Sequence, residues 1–189
     1  FFDTGITWSN SLNVAQMLDK SSYSISLGNT HQDGIISSTG MDRYNVKVSA
    51  DTKLTNNWSS GFTANYITTS IDKAVTSGNG LLRTVYAAPP SYDLAGIPSH
   101  VDGNQYTQNS FRGSFDNAYW AMDNNKFTED TNRFFGNVYA SYQTDFGTTN
   151  HKLNAKYMVG VDAYTTHYVD SYGYGSNTGG GRGQIENYG

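Results

Sequence analysis

Six long segments of the sequence alternate apolar and polar residues with a period of two, and this pattern limits the fold more than any other feature. The segments lie near 9–17, 22–30, 43–54, 58–69, 132–146 and 152–165. Such alternation is typical of β-strands that have one apolar and one polar face. Several segments are also longer than the about five or six residues of an ordinary globular strand. The sequence therefore predicts an all-β, antiparallel chain.

The connections between these segments alternate in length. Short segments of turn-forming composition occur at 18–21, 55–57 and 147–150. The longer connections lie at 31–41, at 70–131 and in the glycine-rich tract 173–183. Tight turns at one end of a sheet and long loops at the other are typical of bacterial outer-membrane barrels. We therefore predict a segment of an antiparallel transmembrane β-barrel, with short periplasmic turns and long extracellular loops, of which 70–131 is the longest.

The number of strands predicts that this barrel is incomplete. In hydrocarbon, every backbone donor and acceptor must be paired, and only a closed sheet achieves this with strands. The smallest single-chain barrels have about eight strands, and the pattern indicates about six. Residues 1–189 are therefore expected to be part of a larger barrel, with no plug domain among them.

Composition excludes several other classes. Charged residues make up 15% of the chain, against about 25% in an ordinary soluble domain. Lysine and arginine number 12 against 16 aspartates and glutamates, and no basic stripe occurs, so no nucleic-acid partner is expected. The absence of cysteine excludes disulfides and thiolate metal sites. No stretch approaches the roughly 20 apolar residues of a membrane-spanning helix.

The sequence predicts no catalytic site, no metal and no cofactor. The four histidines, at 31, 100, 151 and 167, match no metal-binding motif. A calcium site is the one alternative, because an oxygen-rich stretch has the right ligand atoms. That stretch lacks the residue order of an EF-hand and consists of Asp123, Asn124, Asn125, Glu129 and Asp130. The tract 179–183 lacks the Lys-Ser/Thr ending of a phosphate loop and is expected to be a flexible loop.

The long loop 70–131 is where ligand contacts are expected. Residues 81–88 are predicted to form a short helix that Pro89 and Pro90 stop. Four aromatic residues of the loop are candidates for contact with a substrate or a lid protein: Tyr92, Tyr106, Tyr119 and Trp120. Aromatic faces beside amides suit glycans or peptides, which need stacking and hydrogen bonds. For any single one of these residues, packing within the loop is the favoured alternative.

The strands offer further candidates for both faces of a barrel wall. The residues expected to face the lumen are Lys47, Lys53, Asn137 and Lys156. Aromatic residues near strand ends fit the girdles that flank the apolar band of such barrels, and they are Tyr44, Trp58, Tyr66 and Phe146.

Motifs spread over most of residues 1–165 occur in the order of a known family. They are Phe1-Phe2-Asp3-Thr4-Gly5-Ile6-Thr7, Asn10-Ser11-Leu12-Asn13-Val14, Tyr23-Ser24-Ile25-Ser26-Leu27, Gln32-Asp33-Gly34-Ile35-Ile36, Arg43-Tyr44-Asn45-Val46, Pro89-Pro90-Ser91-Tyr92-Asp93, Asp116-Asn117-Ala118-Tyr119-Trp120 and Asn132-Arg133-Phe134-Phe135-Gly136-Asn137. Together they resemble the barrel region of the SusC/RagA family, which are TonB-dependent outer-membrane transporters of Bacteroidetes.

This resemblance implies a function in nutrient import at the bacterial outer membrane. An oligosaccharide or peptide is captured between the barrel and a SusD-like surface lipoprotein, and the TonB–ExbB–ExbD complex supplies the energy for its passage. Outer-membrane lipid surrounds the barrel. No bond is made or broken, so the resemblance implies that the chain is not an enzyme. Because Trp120 lies in a shared motif, the resemblance favours a packing role for it.

The main alternative is a secreted, soluble β-sandwich that binds glycans. It would use the same aromatic loop residues without any membrane, and its strands would also alternate. A surface-layer or adhesin segment is a third hypothesis, but it predicts internal repeats, and the sequence contains none.

Overall fold

The computed structural model describes residues 1–74, 80–147, 151–178 and 180–189, and the chain is mostly β. The strands are β1 Thr7–Met17, β2 Ser21–Asp33, β3 Gly40–Lys53, β4 Trp58–Lys73, β5 His100–Val101, β6 Asn104–Gln108, β7 Lys126–Asp145, β8 Lys152–Tyr174 and β9 Arg182–Tyr188. The two helices are short and are α1 Leu81–Ala87 and α2 Ala118–Asn124.

Seven strands form one large antiparallel sheet in the order β1-β2-β3-β4-β7-β8-β9. Each of these strands pairs with the strand that follows it in this order. Strands β5 and β6, which lie between β4 and β7 in the chain, form a separate two-stranded sheet. Within the described residues β1 pairs only with β2, and β9 only with β8, so this sheet is open.

The prediction of an all-β chain with a large antiparallel sheet is confirmed, and all six predicted strands are present. Most of them are longer than the alternation indicated, because backbone pairing continues into polar residues. The segment at the start of β7, for example, is largely polar and yet fully paired, from Phe127 opposite Lys73 to Asp130 opposite Ser70. The apolar alternation marks only the middle of each strand.

Two predicted connections are corrected by the structure. The connection expected at 31–41 covers only 34–39, since β2 and β3 stay paired as far as Asp33 and Gly40. The tract 173–183 was predicted as a long connection with a flexible loop at 179–183. It instead includes the end of β8, which reaches Tyr174, and the start of a seventh strand of the sheet, β9, which pairs with β8. Gly179 of this tract lies outside the described residues, as do residues 148–150 of the predicted turn 147–150.

The buried core lies in the long connection between β4 and β7, and the sheet contributes little to it. We call residues 80–125 of that connection the folded connection. Its helices bury Leu81, Ala118, Trp120 and Ala121, and these pack with Ile36 from the connection between β2 and β3. The predicted loop 70–131 is corrected as follows: β4 continues to Lys73 and β7 begins at Lys126, while the folded connection contains α1, where the short helix was expected, together with α2, β5 and β6. Residues 75–79 of the predicted loop lie outside the described residues.

Candidate functional site

One face of the large sheet is apolar, and the strand register aligns its apolar residues into continuous rows. One such row runs through directly opposed residues and consists of Leu12, Leu27, Val46, Tyr66, Phe134 and Ala163. The next row consists of Val14, Ile25, Val48, Ala64, Gly136 and Val161. We call the surface formed by these and the following rows, as far as Trp58 and Leu153, the apolar band.

The apolar band is exposed in this structure. Val14 is 61% exposed, Leu12 58%, Val161 56% and Val138 53%. An uncovered apolar surface of this extent is not usual for a soluble monomer, whose exposed patches rarely exceed a few hundred Å². Within the described residues, no second layer covers this face.

The apolar band ends sharply along the strands. On β8 it runs from Leu153 to Ala163, which is about 33 Å of strand at about 3.3 Å per residue. Beyond it, the next row on the same face is largely polar and consists of Asn10, Asn29, Tyr44, Thr68, Asn132 and Thr165. The row after that is more polar still and consists of Trp8, His31, Asp42, Ser70, Asp130 and His167.

The outer polar row is held by side-chain hydrogen bonds. The His31 Nδ1 atom lies 2.7 Å from Asp42 Oδ1, and its Nε2 atom lies 3.3 Å from Asp33. The pKa of His31 is raised, chiefly by its hydrogen bond to Asp42 and also by the charges of both carboxylates. Ser70 donates to Asp130 at 2.6 Å across the pair β4–β7.

Three of the four aromatic residues predicted to lie near strand ends share the apolar face. Trp58 lies opposite Tyr142 at the end with the short turns, and their ring centroids are 4.9 Å apart. Tyr66 lies at the other end, where its hydroxyl donates to Asn132 at 3.0 Å. Tyr44 lies one row further out. Phe146 follows the last residue of β7 and is 56% exposed.

The opposite face of the sheet is polar, and the register places all four residues predicted to face a lumen on it. Lys47, Lys53, Asn137 and Lys156 alternate with residues of the apolar band and therefore point to the other side. Their position on one shared polar face is a property of the fold. That this face lines a lumen stays a prediction.

Charged groups on the polar face have partners. Arg133 forms a bidentate ion pair with Asp162, with Nε–Oδ1 and Nη2–Oδ2 distances of 2.9 and 2.5 Å. The Tyr139 hydroxyl donates to Asp51 at 2.5 Å, and the Lys156 ammonium lies 4.0 Å from the centre of the Tyr139 ring. Tyr139 and Asp51 also line a cavity of about 360 Å³ near the short turns. The sequence pattern did not predict this group, because its members come from three strands that the alternation alone does not align.

The folded connection is fixed to the β8–β9 hairpin through buried polar side chains. Asp116 is 4% exposed, and its carboxylate accepts hydrogen bonds from Gln108, Ser176 and the Asn177 amide, each at 2.7 Å. Gln108 also donates to the Gly175 carbonyl at 2.8 Å. At Gly175 φ is +96°, and an added Cβ would lie 2.1 Å from the Tyr106 carbonyl oxygen, so a side chain does not fit there.

Asn117 starts α2 and joins it to the rest of the folded connection. Its side-chain oxygen accepts from the Tyr119 and Trp120 amides, and its side-chain nitrogen donates to Asn109 at 2.8 Å. Asparagine is a favoured N-cap residue because it satisfies amides of the first helical turn. Helix α2 was not predicted from the sequence, although Asn117 before an apolar run was a signal for it.

The four loop aromatics proposed for ligand contact have different environments. Trp120 is fully buried, and its indole nitrogen donates to the Gln105 carbonyl at 2.9 Å. Tyr119 is half-buried against Phe1, and the Tyr92 hydroxyl donates to the Asn109 carbonyl at 2.9 Å. Trp120 is thus placed for packing and has no surface for a ligand. Tyr106, at 53% exposed, is the most accessible of the four.

The oxygen-rich stretch considered for calcium is divided among separate environments. Asn124 ends α2, where its amide donates to Trp120. Glu129 and Asp130 are consecutive in β7 and point to opposite faces of the sheet, where they accept from Lys73 and Ser70. Among the described residues, no group of three or more histidine, aspartate or glutamate side chains is placed to hold a metal ion.

The fold and its surfaces define a class: an all-β protein whose large antiparallel sheet has one exposed apolar face and one polar face. No family model and no curated protein matches the sequence. In the part of the chain that the structure describes, neither helix is long and apolar enough to span a bilayer.

Proposed function

We propose that this chain forms part of the wall of an outer-membrane β-barrel that imports nutrients. The observation that supports this most directly is the apolar band, because its residues come from six strands and meet in register on one exposed face. Lipid tails are the apolar environment that such a face requires. The polar face would then line the lumen, with Lys47, Lys53, Asn137 and Lys156 among its residues.

The dimensions of the apolar band agree with this proposal. About 33 Å of strand, at a tilt of about 40°, spans about 25 Å along the membrane normal, which is the height of the apolar band of such barrels. The aromatic pair at Trp58 and the polar rows beyond Tyr66 would lie at the two interfaces. In this orientation the folded connection lies on the extracellular side and the short turns on the periplasmic side.

The open edges of the sheet also favour a wall that continues on both sides. Within the described residues, β1 has no partner on its outer side, and β8 pairs with β9 only from Tyr168 to Tyr174. Unpaired backbone groups are costly in hydrocarbon. Further strands at both edges would satisfy them, and this is the larger barrel of which we propose residues 1–189 to be part.

The particular transporter class rests on the resemblance of the motifs to the SusC/RagA family. By that resemblance, the barrel imports oligosaccharides or peptides, together with a SusD-like surface lipoprotein and the TonB–ExbB–ExbD complex. The proposal includes no enzymatic step and no cofactor. The soluble β-sandwich is the less favoured alternative, because a sandwich buries its apolar face under a second sheet and the described residues contain no such sheet.

Fractionation of native membranes tests whether these residues belong to a protein of the outer membrane. The intact polypeptide that contains these residues should be found by peptide mapping in the outer-membrane fraction. It should resist alkaline washing and enter solution only with detergent. Recovery of the same peptides from a species that is soluble without detergent would overturn the barrel and support the sandwich.

The transport step needs a separate test. Uptake of a labelled nutrient by cells that contain the chain should stop when the proton-motive force is collapsed or TonB is removed. Uptake that continues unchanged without TonB would contradict energy-coupled import while leaving the barrel wall in place.

A further inference from the structure

A row of tyrosines lies on the polar face where β8 pairs with β9, beyond the end of the apolar band. Tyr168 lies directly opposite Tyr188, and the next pairs on the same face are Asp170–Glu186, Tyr172–Gln184 and Tyr174–Arg182. Alternate residues of a strand share a face, so these eight side chains form one surface. We call this surface the tyrosine strip. Apart from Arg182, which lies in the tract 179–183, none of its residues was a candidate for a site in the sequence.

One end of the tyrosine strip is a preformed aromatic stack. The rings of Tyr168 and Tyr188 are 5.0 Å apart at 17°, and the Lys73 ammonium lies 4.7 Å from the Tyr168 ring centre. Lys73 approaches the Tyr168 ring from β4, and Tyr188 stacks on the same ring from β9. Lys73 is itself paired with Glu129 at 3.3 Å. Tyr168 is therefore held on two sides, while Tyr188 stays 49% exposed.

The other end of the tyrosine strip is also aromatic. Tyr174 is 63% exposed and lies edge-on to Tyr106 of the folded connection, with ring centroids 6.1 Å apart. Tyr172 packs edge-on against Phe127 at 5.0 Å. From Tyr168 to Tyr174 the strand covers about 20 Å at about 3.3 Å per residue. The strip is thus long enough for an extended ligand that contacts rings at both ends.

Two carboxylates meet between these aromatic ends. Asp170 lies directly opposite Glu186, an arrangement of like charges that destabilises an antiparallel pair. Each accepts a hydrogen bond from a neighbour on the strip: the Tyr188 hydroxyl donates to Asp170 at 3.2 Å, and the Gln184 side-chain amide donates to Glu186. A ligand that donates hydrogen bonds to both carboxylates would offset the repulsion between them.

We propose that the tyrosine strip binds a neutral oligosaccharide. The C–H face of a sugar ring packs on an exposed aromatic face such as that of Tyr188, while its hydroxyls both donate and accept. The strip matches this, because it offers acceptors on Asp170 and Glu186 and donors on Gln184 and Arg182. Lys73 is already paired with Glu129, and Arg182 is the cation of the strip beside Asp170 and Glu186, so the strip keeps a net negative charge. The saccharide is inferred from the exposed ring together with these acceptors and donors, and the peptide probes below test the choice.

This inference rests on the proposed import function and deepens it, because it selects sugars over peptides and names their contact surface. The test uses the intact polypeptide in detergent and isothermal titration calorimetry. The probes are maltohexaose, cellohexaose, xylohexaose and mannohexaose, with hexaalanine and hexalysine as peptide probes. At least one saccharide should bind, and neither peptide should.

Variants then locate the site. Tyr188→Ala should weaken saccharide binding by about tenfold or more, since it removes the exposed ring of the stack. Tyr188→Phe keeps the ring and should bind within about threefold of the unmodified chain. Tyr86→Ala is the matched control, because Tyr86 is 79% exposed on α1, and it should leave binding unchanged.

The possible failures separate this inference from the proposed function. Binding by none of the four saccharides, saccharide binding that Tyr188→Ala leaves unchanged, or Tyr188-dependent binding of a hexapeptide each overturns the saccharide site. Membrane fractionation of the same polypeptide is independent of all these results. If the chain is found in the outer membrane and Tyr188→Ala does not change its saccharide binding, only the tyrosine strip is refuted. A soluble chain with Tyr188-dependent saccharide binding refutes only the barrel.

Discussion

Replacing Val138 by arginine tests the apolar band at its middle. Val138 lies in β7 between Phe62 of β4 and Val159 of β8, and it is 53% exposed. In water, a charged residue at a half-exposed strand position changes the free energy of unfolding by no more than about 0.5 kcal/mol. In lipid, an arginine at the bilayer midplane costs about 2–4 kcal/mol. The two environments therefore predict clearly different results.

The assay is equilibrium unfolding in urea of the intact polypeptide folded into lipid vesicles. Val138→Arg should lower the free energy of unfolding by about 2–4 kcal/mol, which reduces the folded-to-unfolded ratio by about 30- to 700-fold. The matched control is Asn137→Arg, one residue earlier on the polar face, where we expect a change below about 1 kcal/mol. Its cross-strand neighbour Gly160 leaves room for a longer side chain.

Equal effects of the two arginines would refute the assignment of the faces. So would a Val138→Arg variant whose stability stays within about 0.5 kcal/mol of the unmodified chain, because no lipid-facing position at this depth tolerates arginine so well. Val138→Leu should be close to neutral in either environment and shows whether any change of side chain disturbs β7.

Two other predictions concern the end of the sheet away from the short turns and the folded connection. Asp116→Ala leaves the Ser176 hydroxyl and the Asn177 amide without their buried acceptor, so it should destabilise the folded connection by about 2–4 kcal/mol and increase its hydrogen exchange. The control Asp123→Ala removes an exposed carboxylate of the same folded connection and should have little effect. The raised pKa of His31 means that protonation of this side chain stabilises the folded state. This stabilisation is fully present below the ordinary histidine pKa of about 6.5, and it is lost as the pH rises through the raised pKa of the folded state. Histidine NMR should show this pKa falling toward its ordinary value in Asp42→Asn, since that hydrogen bond is the main cause.

Each of these predictions has a result that contradicts it. Unchanged hydrogen-exchange protection of Trp120 in the Asp116→Ala variant would show that the buried carboxylate does not hold the folded connection. A His31 pKa that stays the same in Asp42→Asn would show that the two side chains do not interact in solution.

The alternation of apolar and polar residues by itself determined that the chain is all-β and which residues of each strand share a face. Side chains of a strand point to opposite sides with a period of two, so this property is local and is written directly in the sequence. That is why Lys47, Lys53, Asn137 and Lys156 could be assigned to one face before any strand was paired. The short helix before Pro89 was predictable for the same reason, since proline acts on its immediate neighbours.

Only the tertiary structure decided which residues meet. The pairing of Asp51 with Tyr139, of Asp116 with Ser176 and of Tyr168 with Tyr188 depends on strand register and on the path of the long connection. Register is set by contacts between residues that are far apart in sequence, and a shift by one residue would exchange the two faces of a strand. The tertiary structure also decided where the strands end, because backbone pairing continues wherever a neighbouring strand supplies partners, whatever the polarity of the side chains.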